Sequence, residues 1–365
     1  MIHSIISKRP SWRYLPSASI RWRNWEYWSA QAFYFPMYVW GPILALRTGH
    51  AAFFTAANPG IATGGFGFES KYDTILKIPA AYRPKTMLAR AGAAFSDVLQ
   101  ELQQAGITFP LIAKPDIGFR GFLVKKIETT AELQVYLQRF PTNFILQEFV
   151  WKDQEFGVLY HCFPDQDRGT ITSLTLKEFL SVIGDGQSTV LELVHRHPRA
   201  LLQLDRLQLT HAAVLPTIPA TNERVALGII GNHSKGTRFI NGNHLINRQL
   251  EQIFDAIAKQ IPGFYYGRFD IKCDSLEALR QGQDLVILEI NGVCSEPTHI
   301  YDPESITYLG ALRTILQHWT LVARISRANL RRGAKCLPAW QMIRIIRQGL
   351  KQVRTLQREG KRGEK

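Results

Sequence analysis

The chain has 365 residues, 45% hydrophobic and 20% charged, with a formal net charge of +14. These proportions exclude a disordered or fibrous chain and leave room for two or three lobes around a large core. The four cysteines, Cys162, Cys273, Cys294 and Cys336, are too scattered for a zinc site or a disulfide framework, and read as reduced thiols in a cytoplasmic protein.

Residues 1–23 are basic and bear tryptophan, without a continuous apolar core or a small-residue cleavage site, so no secretory signal is expected. Residues 32–46 are apolar but short for a membrane span, and Pro36, Gly41 and Pro42 interrupt them. They read as a buried helix or strand, with contact to a membrane surface as the other reading. Aromatic residues crowd the stretch to about residue 70, among them Trp22, Trp25, Trp28, Tyr34 and Trp40. Residues 51–56 read as a strand, 58–60 as a turn and 63–69, with three glycines, as a flexible loop. A helical pattern covers 86–105 and ends at Gly106 and Pro110.

A strand is expected over 111–115, a loop over 116–121, a strand over 122–127, a helix over 130–138 capped by Thr129 or Thr130, and a strand over 143–150. Strands at 155–163 and 170–177 precede a turn at 184–187 and a helix from about 188, capped by Ser188 or Thr189. A strand over 224–231 and a helix over 250–260 lead to two further strands, 267–272 and the run from 286. From about 305 the pattern is helical. Eleven Lys and Arg lie between 331 and 365, against Glu359 and Glu364 alone.

The two late strands carry the chemistry. Side chains two apart on a strand share a face. Arg268 with Asp270, and Glu289 with Asn291, line one surface if the strands pair. Oxygen donors of this kind suit Mg²⁺, which takes a few carboxylates and otherwise waters and phosphate oxygens. An arginine beside them suits a reaction that builds negative charge on oxygen. The plainer reading is two core strands ending in solvated carboxylates. Upstream, Lys114 leads into a loop with Gly118 and Gly121, where backbone amides approach a phosphate closely and the lysine adds charge. Glu148, at the end of a strand, is followed seven residues later by Glu155. That pattern is compatible with recognition of adenine and ribose, and also with an ordinary strand edge.

In this order, Lys114 with Gly118 and Gly121, residues 147–150 with Glu155, Lys177, residues 267–270 and residues 288–291 resemble the ATP-grasp superfamily over roughly residues 65–305. The likeness is to carboxylate–amine ligases: D-alanine–D-alanine ligase and the ligase segments of cyanophycin synthetase and bifunctional glutathione synthetase. Residues 182–194 and 231–237 are similar to the latter two. The resemblance implies an α/β fold of three lobes, with the nucleotide between the central and C-terminal lobes. Boundaries would be 1–70 for an aromatic-rich N-terminal lobe, 71–150 and 151–320 for the two ATP-grasp lobes, and 321–365 for a basic tail. It implies Lys114 on the ATP phosphates, Gly118 and Gly121 in the covering loop, and Glu148 with the backbone of Phe149 and Val150 on adenine. Glu155 would hold the ribose, and Lys177 would be a further cation. Asp270, Glu289 and Asn291 would hold Mg²⁺ (or Mn²⁺), and Arg268 would steady the reacting acyl phosphate. Lys71 is the choice for an earlier phosphate-contacting lysine, with Lys85 the competitor.

Phe119 and Arg120 depart from the small residues many relatives carry in the glycine loop. Asn232, His233 and His299 are candidates for the substrate pocket, with turn and packing roles as alternatives. His161, His195, His197 and His211 show no zinc or nucleophile spacing, and Cys294 reads as a small core residue. The implied activity is ADP-forming ligation of a small carboxylate to an amine, on amino-acid or peptide-like substrates. The rivals are another ATP-grasp phosphoryl transfer or ligation to a non-amine acceptor, and a non-catalytic nucleotide-binding protein. No specific nucleic acid is expected. The tail, with Trp340, Ile343, Ile345, Ile346, Leu350 and Val353 among its cations, fits peripheral contact with an anionic inner-membrane surface or an acidic partner. A solvated end is its other reading. Every assigned site residue precedes it, so it is expected to be dispensable for ATP turnover.

Overall fold

Eleven strands form among the residues that the computed structural model describes, 17–118 and 121–362. They are β1 (Thr86–Ala89), β2 (Leu111–Pro115), β3 (Lys125–Ile127), β4 (Phe144–Glu148), β5 (Gln154–His161), β6 (Thr170–Glu178), β7 (Ser181–Ile183), β8 (Arg224–Ala226), β9 (Arg238–Asn241), β10 (Tyr266–Cys273) and β11 (Val286–Asn291). Contacts divide the chain into two units. One is the described part of Met1–Phe33 with Phe179–Ile229, and the other is Tyr34–Glu178 with the described part of Ile230–Lys365.

The larger unit holds two antiparallel sheets. The first runs β1-β4-β2-β3 and the second β11-β10-β5-β6-β9. Residues 149–153 link them. The first sheet buries Met87, Ala113 and Leu146 against Val98 and Leu102 of helix Phe95–Gln104 and Leu133 and Tyr136 of helix Thr130–Arg139. The second sheet separates two cores by alternation of its side chains. Phe156, Val158, Phe269 and Ile271 face Leu250, Phe254 and Ile257 of helix Arg248–Lys259. Each fully buried side chain of this size stabilises the fold by about 1.5–3 kcal/mol. On the opposite face, Leu159 and Tyr266 pack with Leu44 of helix Met37–Thr48 and Val322 of helix Tyr308–Arg331. That same face carries the polar alternate positions of β5, β6, β10 and β11.

The smaller unit pairs β7 with β8 and buries Leu180, Val182, Val190, Val194 and Leu207. Its helix Val190–Arg196 begins with a capping box between Thr189 and Glu192. Arg199 pairs with the buried Glu26 at 2.9 Å.

Several sequence expectations are corrected. Residues 51–56 are not a strand: Phe53–Ala56 is a 3-10 turn, packed against Trp319. The segment 86–105 splits into β1 and a helix, because the ladder to β4 captures Thr86–Ala89. The strands expected over 122–127 and 224–231 shrink to three residues each. Residues 32–46 form largely helix, but they are not simply buried: Phe35, Tyr38, Val39 and Leu46 are exposed. No helix among the described residues is long and apolar enough to cross a membrane.

The loop 63–69 is pinned rather than flexible. Val293 N donates to Gly64 O and Cys294 N to Gly65 O. A Cβ on Gly65 would lie 2.4 Å from Gly292 Cα, so only glycines permit this approach. Asn58, fully buried, donates to Gly64 O and Tyr266 O and accepts from Tyr265 N and Tyr266 N. The tail is likewise docked. Helix Ala339–Arg362 buries Met342 and Leu356 and lays Gly349 against the Phe68 ring.

Candidate active site

The polar face of the second sheet gathers a charged cluster. β10 and β11 pair with Arg268 opposite Asn291 and Asp270 opposite Glu289. On the other side of β10, Asp270 lies opposite Gly157 of β5, and Glu155 lies opposite Lys177 of β6. A bulge after Asp270 leaves Leu288 without a partner and sends both Ile287 and Ile290 to the core.

Arg268 grips Asp270 with two bonds, Nε to Oδ1 at 3.1 Å and a terminal nitrogen to Oδ2 at 3.0 Å. Lys177, only 4% exposed at its side chain, bridges Glu155 at 2.7 Å and Asp270 at 2.9 Å. Asn291 donates its amide to Asp270 Oδ2 at 2.8 Å, leaving its own oxygen for a cation. Gly157 gives this group room, since a Cβ there would lie 3.3 Å from the Arg268 chain. Gly231 does the same behind Glu155, whose carboxylate occupies the space a side chain would need. Burial pushes the Asp270 carboxyl up, but Arg268 and Lys177 outweigh it and hold it below the ordinary range.

The first sheet supplies a lysine to the same place. Lys114 on β2 is buried and donates to Gln147 Oε1 at 3.0 Å and to Leu288 O, the carbonyl at the bulge, at 3.3 Å. Both acceptors are neutral, and Lys114 forms no ion pair among the described residues. Burial lowers its pKa to about 8, against the opposing pull of Glu289. Lys71 opens helix Lys71–Leu76, which Ser70 caps and Asp116 anchors by accepting from Ser70 Oγ and Tyr72 N. Its Nζ lies 2.5 Å from Glu289 Oε1. Burial disfavours both charges, yet the pair holds Lys71 raised and Glu289 lowered. Lys85 does not reach the cluster. Its ammonium donates to Gly106 O, while its backbone N donates to Glu148 Oε2.

Phe149 and Val150 lie on the link between the sheets. Lys126 and Lys272 sit over the Phe149 ring, and Lys272 reaches Val150 O at 3.5 Å. Gly118 packs on Pro115, and Gly121 lies beside Ile230 and Asn232. Gly121 thus borders the segment 230–232. Phe119 and Arg120 lie outside the described residues. Asn232 caps its own turn through Ser234. His233 stacks on Tyr301 with ring centroids 5.1 Å apart. His299 is buried and shares a hydrogen bond with Ser173, and burial lowers it to about 4. Cys294 is exposed rather than in the core. Residues 182–194 belong to the smaller unit, where Asp185 accepts from Gln187 N and Ser188 N to fix a turn.

Sequence reasoning missed Gln147, Asp116 and Glu296. Gln147 stood inside a quoted motif, and its neighbour Glu148 drew the attention. Glu296 follows the metal-type strand by five residues, but its partners Tyr34 and Tyr301 come from elsewhere in the fold.

Lys71, Lys114, Lys177 and Arg268 meet Glu155, Asp270 and Glu289, leaving one cation in excess. That surplus suits a polyanion. No three His, Cys, Asp or Glu side chains among the described residues form a metal cage. Two cross-strand carboxylates with an amide oxygen instead fit Mg²⁺, which keeps waters and phosphate oxygens for its other positions.

No family model and no curated protein matches the chain. Its structure is similar to a bifunctional glutathione synthetase from Pasteurella multocida, with 18% identity, a TM-score of 0.38, and coverage of 69% of this chain and 35% of that one. It is similar to the VanG D-Ala:D-Ser ligase from Enterococcus faecalis at 14% identity and a TM-score of 0.41, covering 71% and 64%. For D-alanine–D-alanine ligase from Bacillus anthracis the values are 15%, 0.41, 72% and 71%. The chain thus spans about a third of the first and under two thirds of the second. Bifunctional glutathione synthetase and D-alanine–D-alanine ligase, the ligases whose motifs the sequence resembles, are among the solved structures to which this α/β chain is similar.

Proposed function

We propose that the protein is an ATP-grasp enzyme that joins a carboxylate to an amine with formation of ADP and phosphate. The observation that carries this reading is Lys114, a buried lysine without a carboxylate partner, set among three paired carboxylates. Its unspent charge suits a phosphate. Lobes at 71–150 and 151–320 would close on the nucleotide, with residues 147–150 and Glu155 toward the nucleoside.

Lys114 and Lys71 would bind phosphate oxygens, and Lys177 would hold Glu155 and Asp270 in place. Asp270, Glu289 and Asn291 would hold Mg²⁺, which when bound neutralises charge on the phosphates. A substrate carboxylate oxygen would attack the γ-phosphorus, breaking its bond to the bridging oxygen and releasing ADP. The amine nitrogen would then attack the acyl carbon, phosphate would leave, and the nitrogen would lose a proton. Arg268 would stabilise the oxyanion between these events. The glycine loop would exclude water, which otherwise hydrolyses the acyl phosphate.

The test is a screen with ATP, Mg²⁺ and pooled carboxylates and amines, read by mass spectrometry. ADP, phosphate and an amide are expected, and hydroxylamine should trap a hydroxamate when the amine is omitted. AMP as product would refute the acyl-phosphate route. A phosphorylated acceptor would instead mark a phosphotransferase.

A further inference from the structure

Beside the charged cluster lies a cavity of about 700 Å³. Helix Met37–Thr48, the turn at Phe53–Ala56, helix Tyr308–Arg331 and residues 293–297 line it. Its size falls within the range of small-molecule sites. Phe54 and Phe66, stacked with centroids 4.4 Å apart, form one wall, and Trp319 meets Phe54 edge-on. Among the described residues neither lysine nor arginine lines the cavity, and Glu296 is the one carboxylate that does. The polar atoms deeper in are already matched: Tyr266 OH and His318 Nδ1 share a hydrogen bond at 3.0 Å.

Glu296 is held in a fixed position. The Tyr34 hydroxyl donates to one carboxylate oxygen, and the Tyr301 hydroxyl donates to the other at 2.7 Å. Its backbone carbonyl accepts from Arg268 at 3.4 Å, which places it next to the group assigned to the reacting acyl carbon. An apolar chamber with a single acidic group at its charged end is complementary to a cation with an apolar body. A substrate carboxylate would find no positive partner there. Gly41 lines the chamber, and a Cβ at that position would meet no atom within 4 Å, so the helix leaves this space open.

We propose that this cavity receives the apolar body of the amine substrate, a primary amine bearing an aryl or extended alkyl group, with its ammonium paired to Glu296. This rests on the ligase reading for the word substrate, but the binding site itself stands on the cavity.

Calorimetric titration of the full chain, with and without Mg²⁺ and a non-hydrolysable ATP analogue, tests it. Hexylamine and phenethylamine should bind at least tenfold more tightly than ethylamine, since each buried methylene adds about 0.8 kcal/mol, or roughly fourfold. Glu296→Gln should weaken hexylamine at least tenfold and leave hexanol unchanged. Gly41→Phe, with Ala45→Phe as a second blocking variant, should abolish binding of both. Equal affinity for ethylamine and hexylamine, tighter binding of hexanoate than of hexylamine, or no binding under either condition would overturn the proposal. Amine binding without ATP turnover would remove the ligase reading and leave the site. Amide formation unaffected by both blocking variants would remove the site and leave the ligase.

Discussion

Lys71 and Glu289 stand 218 residues apart in the chain, and their charged ends meet at 2.5 Å. The contact joins the first turn of a helix to the strand expected to hold magnesium. Glu289→Gln removes both the partner of Lys71 and one of two carboxylates. At saturating ATP and limiting Mg²⁺ we expect turnover to fall by about 100-fold or more, with nucleoside affinity little altered. Unchanged turnover in steady-state assays would reject the metal assignment.

Lys114 gives a pH signature. Burial lowers its pKa to about 8. Below that value it carries its charge and attracts phosphate, and as pH rises through about 8 the charge is lost. ATP affinity should therefore decline between pH 7 and 9, and Lys114→Met should bind weakly with a flat profile over that interval. A wild-type affinity that rises with pH would contradict the assignment.

Glu296 has the opposite setting. Burial, only partly offset by Tyr301, raises its carboxyl from 4.5 to about 7. The folded state then keeps a proton that the unfolded chain releases between these values. Stability from this group is present below the unfolded value and is lost as pH rises through about 7. Glu296→Gln mimics the protonated form, so its melting temperature should exceed that of the wild type at pH 8 and approach it at pH 5. A wild type more stable than the variant at pH 8 would refute this.

The docked tail predicts a contrast between two glycines. A Cβ on Gly349 would sit 1.8 Å from Phe68. Gly349→Ala should cost about 1–3 kcal/mol through overpacking, whereas Gly41→Ala, in open space within a helix, should be neutral or stabilise by about 0.5–1 kcal/mol. Chemical denaturation of both variants measures this. Deleting residues 338–365 should lower the melting temperature as well, contrary to what a solvated end would do.

The sequence showed the strands that bear the site because their apolar alternates and polar alternates are separated by parity. Phe269 and Ile271 point to one core, and Arg268 and Asp270 point to the opposite face. Helix Thr130–Arg139 was equally legible from its cap at Thr129. β1 was not, since Thr-Met-Leu-Ala has a helical composition and only its pairing with β4 makes it extended. The choice of Lys71 over Lys85 as the lysine that reaches the cluster also needed the fold. The sequence favoured Lys71 by its spacing before Lys114 but kept Lys85 as a competitor, and the Asp116 anchor that aims Lys71 is tertiary. The chamber around Glu296 was illegible for the same reason, because its wall is assembled from distant segments.

The glycine pair Gly65 and Gly292 has a mechanical consequence. Backbone meets backbone there with no side chain to act as a spring, and two hydrogen bonds rivet residues 64 and 65 to the end of β11. Those two pieces travel together in any breathing of the site. Gly121 meets a side chain instead: the Ile230 methyl group lies 3.1 Å from its would-be Cβ. The two places are built from the same residue type, and differ in what the missing side chain lets approach.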